Sequence, residues 1–240
     1  GVATFKDARH VILIGAKVPA PMFGYPDKPD YLMRPGANLI ELAALTDDLH
    51  ETLRELAARV NALDAVPLLE VQKELPLPQG ALTADAVLRT LSALMPENAI
   101  IVDESISAGR SFFPVSMGTP AHDYLQLTGG SIGSGLPMAT GAAIACPGRT
   151  VINMEGDGNS MYTIQALWTQ AREQLPVTTI IFANNTYNIL KLEFSNMGAG
   201  PAPGPRALSM IDIDNPTIDW LAMARSMGVP GVRVGGVVKM

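Results

Sequence analysis

Gly156, Asp157, Gly158, Asn159 and Ser160 follow directly on an apolar run and precede a helical pattern. Two glycines let the backbone turn sharply and approach a ligand, so that amide N–H groups face an anion of phosphate size. Asp157 beside that anion is repelled unless a cation stands between them. Acid plus glycine cradle therefore points to a divalent metal bridging protein and phosphate, with magnesium the natural ion for hard oxygen donors. A second oxygen ligand is expected at the end of a neighbouring strand, and Asn184 and Asn185 stand there, the first of them 27 positions beyond Asp157. A strand–helix–strand crossover of that length returns the second strand to the same edge of a sheet. A nearby backbone carbonyl would supply a further hard ligand.

Rival chemistries fare worse. The segment carries the first two glycines of a dinucleotide fingerprint, but Met161 takes the place of the third, and no GxxxxGK[ST] run exists. His10, His50 and His122 form no HxH or HExxH spacing, so a metal-hydrolase centre has little support. His122, beside Asp123, is kept as a mild substrate-side candidate. A glycine turn with nothing bound would explain residues 156–158 alone, but not the asparagine pair as well.

The elements that must position these groups read as α/β. VILIG (11–15) and NLIELA (38–43) are strand-like runs flanking a Pro/Gly-rich loop, followed by a helix with Thr46 as N-cap and Leu49, Leu53, Leu56, Val60 and Leu63 on one stripe. Prolines 67, 76 and 78 mark residues 67–80 as a linker. Beyond it come a helix over 83–95, a strand over 99–102 and a small-residue helix over 133–146. Next are a strand over 150–154, a helix over 163–173, a strand over 177–183, a helix over 217–227 ended by Gly228, and VRV (232–234). Such alternation predicts a mainly parallel sheet with helices on both faces, whose ligands bind beyond the carboxyl ends of the strands.

Composition narrows the function classes. With 48% hydrophobic and 17% charged residues the chain is core-rich, and disorder is excluded. A net charge of −6 with no basic stripe argues against nucleic acid. Residues 124–148 lack charge, but their glycines, prolines and hydroxyl residues do not make a membrane span. The single cysteine, Cys146, cannot form an intrachain disulfide and reads as a small buried hydrophobe, so a reducing cytoplasm is the default.

GDG, a stretch of about 27 residues and then NN resembles the signature of the thiamine diphosphate enzyme family that includes acetolactate synthase, benzoylformate decarboxylase and pyruvate decarboxylase. GGSIGSGLPMATGAAIA (129–145) resembles the family's aminopyrimidine-binding segment, DESISAGR (103–110) its phosphate-side loop, and residues 1–63 the second half of its central domain. Chain organisation follows as 1–66, half of a central α/β domain; 67–80, a linker; and 81–240, the diphosphate-binding domain. Asp157, Asn184 and the carbonyl of Thr186 would then hold Mg²⁺, with Asn185 plus Tyr187 the alternative frame. Gly130 would accept a hydrogen bond from the cofactor's 4'-amino group, with Ser131 beside it, and Ile132 would wedge beneath the bent cofactor. Ser107 would stand near the diphosphate, and Gly156, Gly158 and Asn159 would offer backbone to it.

The resemblance implies decarboxylation of a 2-oxo acid, ending in an aldehyde or in joining to a second carbonyl. Pyruvate decarboxylases place a proton-donating acid six positions beyond the metal asparagine, where this chain has Leu190, so the acetolactate synthase-like carboligase branch is expected. A benzoylformate decarboxylase-like lyase and a non-catalytic cofactor-binding module are the alternatives. FAD, carried by acetolactate synthases, finds no support in these residues. The family's activating glutamate is expected outside this chain, on a neighbouring subunit of a homo-dimer or tetramer. The chain is accordingly read as a piece, lacking the pyrimidine domain before residue 1 and the last helix and strand after Met240, and inactive alone. Glu104, Glu155 and Glu193 are read as solvated or structural acids.

Overall fold

The computed structural model describes residues 2–21, 23–71 and 73–235. The chain divides into two compact units, Gly1–Leu69 and Glu70–Met240. No helix among the described residues is long and apolar enough to cross a membrane.

In the first unit, α1 (Val2–Phe5) precedes β1 (His10–Ile14), which pairs in parallel with β2 (Asn38–Ala43), and α2 (Leu49–Arg59) follows. The cap of α2 is Asp48, not Thr46. Its carboxylate accepts the Glu51 N–H at 3.0 Å, while Asp47 accepts the Ala44 N–H at 2.8 Å, so two acids tie down the turn that Thr46 was expected to cap.

The second unit is built on a four-stranded parallel sheet ordered β4-β3-β5-β6, from β3 (Ile100–Glu104), β4 (Asp123–Gln126), β5 (Val151–Gly156) and β6 (Val177–Phe182). Before β3 lies α3 (Ala84–Leu94), whose Thr83 cap accepts the Ala86 N–H at 3.1 Å; α4 (Phe112–Ser116) lies between β3 and β4. Between β4 and β5 lies α5 (Gly135–Ala145), and between β5 and β6 lie α6 (Asp157–Thr163) and α7 (Ala166–Arg172). After β6 come α8 (Asn188–Asn196), α9 (Pro205–Ile211) and α10 (Trp220–Ser226).

Side-chain alternation splits the sheet between two cores. Ile101, Ile152 and Met154 pack with Leu88, Leu91 and Phe112 on one face. Ile100, Val102 and Val151 pack with Ala139 and Ala143 of α5 on the other, where half-buried Cys146 joins them. A third cluster, Leu136, Ile164 and Leu167, seats α7 and α10 against α5.

The fold class matches expectation, and the elements differ in instructive places. The residues after β5 are no loop: Asp157 opens α6 directly, because Gly156 stays extended (φ −78, ψ 144) and an acid is favoured in a first helical turn. The helix expected over 163–173 is α7, shortened to 166–172 by α6 before it. The helix expected over 217–227 begins only at Trp220, capped by Asp219, and Gly228 at φ 80 ends it. Residues 232–234 form no strand. The expected second block runs to 240, of which 236–240 lie outside the described residues.

Candidate functional site

Register places the chemistry. Gly156 pairs with Phe182 and Glu104 with Glu155, so Asp157, Asn184 and Ser105 all emerge at the carboxyl edge of three adjacent strands. A cleft opens there, lined by Ser105 to Ala108, Gly156 to Asn159, Phe182, Asn184 and Thr186 to Ile189. Asp157 is the single acid in that lining.

Asp157 is 2% exposed, and its carboxylate accepts the N–H of Gly158 at 2.9 Å and of Asn185 at 2.5 Å. Burial pushes its carboxyl above the usual range, with the Asn185 and Gly158 amides pulling the other way. Asn185 adopts φ 58, so its N–H turns to Asp157 while Asn184 and Thr186 face the cleft. A second set of bonds secures that turn: Tyr187 N–H donates to Ile211 O at 3.0 Å and Ile213 N–H to Asn185 O at 2.9 Å. Thr186 Oγ1 and Lys191 Nζ each donate to Asp212 Oδ1 at 2.6 Å, which holds the Asp212 carboxyl below the ordinary carboxylate range, Lys191 contributing most. The Tyr187 ring lies over Gly158 and its hydroxyl donates to Gly158 O at 3.2 Å. A Cβ on Gly158 would stand 2.6 Å from Tyr187 Cδ1, so this glycine serves close approach and not a turn.

The opposite wall is the loop after β3. Asp103 Oδ1 accepts Ser105 N–H at 2.9 Å and its Oγ–H at 2.5 Å, while Oδ2 accepts Tyr124 O–H at 2.6 Å. Ile106 follows at φ 48, a conformation a β-branched residue adopts only where its surroundings impose it. Ser107 lines the cleft beside it.

Beyond β4 the chain passes the same edge through Gly130 (φ 69) and exposed Ser131 to half-buried Ile132, whose N–H donates to Gly130 O at 3.0 Å. These three and Leu190, which is 47% exposed on α8, are not in the cleft lining; Ile189 is. His122 lies at the amino edge, where Asp123 pairs with Ile100, and its Nδ1 meets Pro120 O at 2.8 Å, so it is no part of the site. Glu104 and Glu155 are 1% and 0% exposed, which rules out a solvated role for either. Glu155 is pushed up to about 8, first by burial and then by the neighbouring Glu104 charge. Tyr187, Asp212 and Lys191 give the metal-side turn its support; Tyr187 had a signal in the alternative ligand frame, and the other two had none.

The donor chemistry fits a magnesium ion. Among the described residues no three His, Cys, Asp or Glu gather as a metal cluster, and Asp157 is the single carboxylate of the lining, so a cation held here would have one carboxylate and the neutral oxygens of Asn184 and Thr186 to draw on. That hard oxygen set suits an ion which keeps phosphate and water in its remaining positions. Asn184 Oδ1 accepts the Thr186 N–H at 3.1 Å and retains a second lone pair.

Over 232 residues the chain is 43% identical to the Mycobacterium tuberculosis protein IlvX, whose name assigns it provisionally to the acetolactate synthase large subunits, covering 97% of this chain and 45% of that protein. It is 34% identical to benzoylformate decarboxylase of Pseudomonas aeruginosa, over 95% of this chain and 44% of the relative. The structure of the Rhodococcus jostii thiamine diphosphate-dependent 4-hydroxybenzoylformate decarboxylase superposes with a TM-score of 0.73 at 30% identity, covering 98% of this chain and 45% of that one. The chain thus spans less than half the length of these relatives. The family model for the C-terminal TPP-binding domain of thiamine pyrophosphate enzymes matches residues 109–238, more than half of the chain, and the chain belongs to that family.

Proposed function

We propose that the protein takes part in thiamine diphosphate- and Mg²⁺-dependent decarboxylation of a 2-oxo acid followed by carboligation, as in an acetolactate synthase. The carrying observation is the convergence of Asp157, Asn184, Thr186 and Ser107 on one cleft at the carboxyl edge of β3, β5 and β6. When bound, thiamine diphosphate supplies the carbon nucleophile and electron sink that decarboxylation needs. Asp157, Asn184 and the Thr186 carbonyl would hold Mg²⁺, while Ser107 and the Gly156–Asn159 backbone would receive the diphosphate. Gly130 and Ile132 would face the aminopyrimidine, with Ser131 between them. Residues 1–66 are assigned to half of a central domain, 67–80 to a linker and 81–240 to the diphosphate-binding domain. By the family resemblance the activating glutamate would come from a neighbouring subunit of a homo-oligomer, and the single cysteine suits a reducing cytoplasm.

The second reading, a benzoylformate decarboxylase-like lyase, is favoured by the 34% identity to such an enzyme. Products decide. Given a 2-oxo acid and a carbonyl acceptor, the protein at its natural length is expected to form a hydroxy-ketone or acetohydroxy acid, read by NMR. Aldehyde and CO₂ alone at every acceptor concentration would transfer the proposal to the lyase, and cofactor binding without any CO₂ release would leave a binding module. Leu190→Glu introduces a proton donor on α8 and is expected to move products toward aldehyde by about threefold.

A further inference from the structure

Glu104 and Glu155 take no part in the metal-side cleft, yet they are among the most deeply buried side chains of the sheet. They are register partners on neighbouring strands and share the face with Ile100, Val102 and Val151, the face that α5 covers. Helix α5 begins beneath no local cap: Ser134 makes no capping hydrogen bond. The Glu104 carboxylate takes that role from the end of β3, accepting the N–H of Gly133 and of Gly135. An anion at a helix start meets both unpaired amides and the positive end of the dipole. Glu104 also reaches the other arm, because its backbone carbonyl accepts Asn159 Nδ2 of α6 at 2.6 Å. Gly135 leaves the room this needs: a Cβ there would stand 2.7 Å from Glu104 Oε2 and would collide with Glu155 Oε1.

We propose that Glu104 is a positioning residue, which caps α5 from β3 and thereby fixes Gly130 to Ile132, the aminopyrimidine side of the cofactor site, relative to the Asp157 cleft. The proposal rests on the cofactor reading above. Its test uses the protein at its natural length, with two probes binding in the presence of Mg²⁺: thiamine diphosphate, which spans both arms, and inorganic pyrophosphate, which engages only the metal side. Glu104→Gln replaces one acceptor by a donor facing an N–H. Calorimetry is expected to give about tenfold weaker thiamine diphosphate binding, with pyrophosphate binding within about twofold of wild type. Amide hydrogen exchange at Gly133 or Gly135 should quicken about tenfold or more, while strand amides of β3 and β5 keep their protection. Gly135→Ala, which keeps both acids, should give the same split and covers the case in which Glu104→Gln does not fold. Equal weakening of both probes, or unchanged exchange at 133 and 135, overturns the proposal. Wild-type protein that binds neither probe sinks the cofactor reading alone, and the exchange measurement then decides the cap by itself.

Discussion

The two arms of the carboxyl edge are held in different ways. On the metal side, Asp157 bonds to the next residue's amide and to Asn185, and the 185–187 turn is bonded in turn to residues 211–213, so the arm is braced by its own loops. On the pyrimidine side, Gly133 and Gly135 hang on Glu104, 29 and 31 positions earlier in the chain. The first arm supplies binding groups directly from strand ends; the second supplies backbone whose position depends on buried acids elsewhere. A change at the first arm should therefore remove a ligand, and a change at the second should misplace one.

The largest effect is expected at Asp157. Asp157→Ala should cut Mg²⁺-dependent thiamine diphosphate affinity by at least about 100-fold in calorimetry, since the diphosphate would face α6 without its bridging cation. Undiminished affinity would refute the metal site. Asn184→Ala should cost about tenfold, and Asn185→Ala less, because Asn185 contributes its backbone N–H to Asp157 while Asn184 and Thr186 line the cleft. The reverse order would move the ligand frame by one residue.

A smaller effect should come from Gly158→Ala. Its new methyl meets the Tyr187 ring, and overpacking of this kind costs about 1–3 kcal/mol. Tyr187→Ala should relieve most of that penalty, so the double variant should unfold at a higher denaturant midpoint than additivity gives. Strict additivity would mean that the ring does not press on Gly158, and the metal-side arm would be looser than its hydrogen bonds indicate.

Legibility followed the same division. The Asp157 and Asn184 pairing is readable because both stand one or two positions beyond strands whose apolar runs are plain in the sequence, and parallel strands end on one edge. Strands β3, β5 and β6 and helices α3, α5 and α10 were legible for the same reason. By contrast β4, α4, α8 and α9 left little pattern: β4 is DYLQ with no residue fully buried, and α8 buries none of its nine residues. GDG looked like a turn because glycine there usually supplies one, whereas Gly158 is helical and makes room for a ring 29 positions away. Glu104 and Glu155 read as ordinary acids since only register, absent from a linear chain, reveals that they share a buried face.

The least drastic perturbation is pH, and it bears on the pyrimidine-side arm. The Glu155 carboxyl is pushed up to about 8 by burial and by Glu104, whereas an unfolded glutamate titrates near 4.5. The folded state therefore keeps a proton that the unfolded chain loses, and linkage makes stability fall as pH rises between those values. The burial of Glu104 and Asp157 pushes the same way, while Asp212, lowered from 3.8, matters only on the acid side of this window. Metal-free protein should thus show a lower denaturant midpoint at pH 8 than at pH 5. Glu155→Gln, which fixes a neutral group of the same shape beside Glu104, should lose visibly less over that range. An equal drop in both proteins would mean that Glu155 is ionised in the fold, and two charged carboxylates would then have to share the start of α5 without a proton between them.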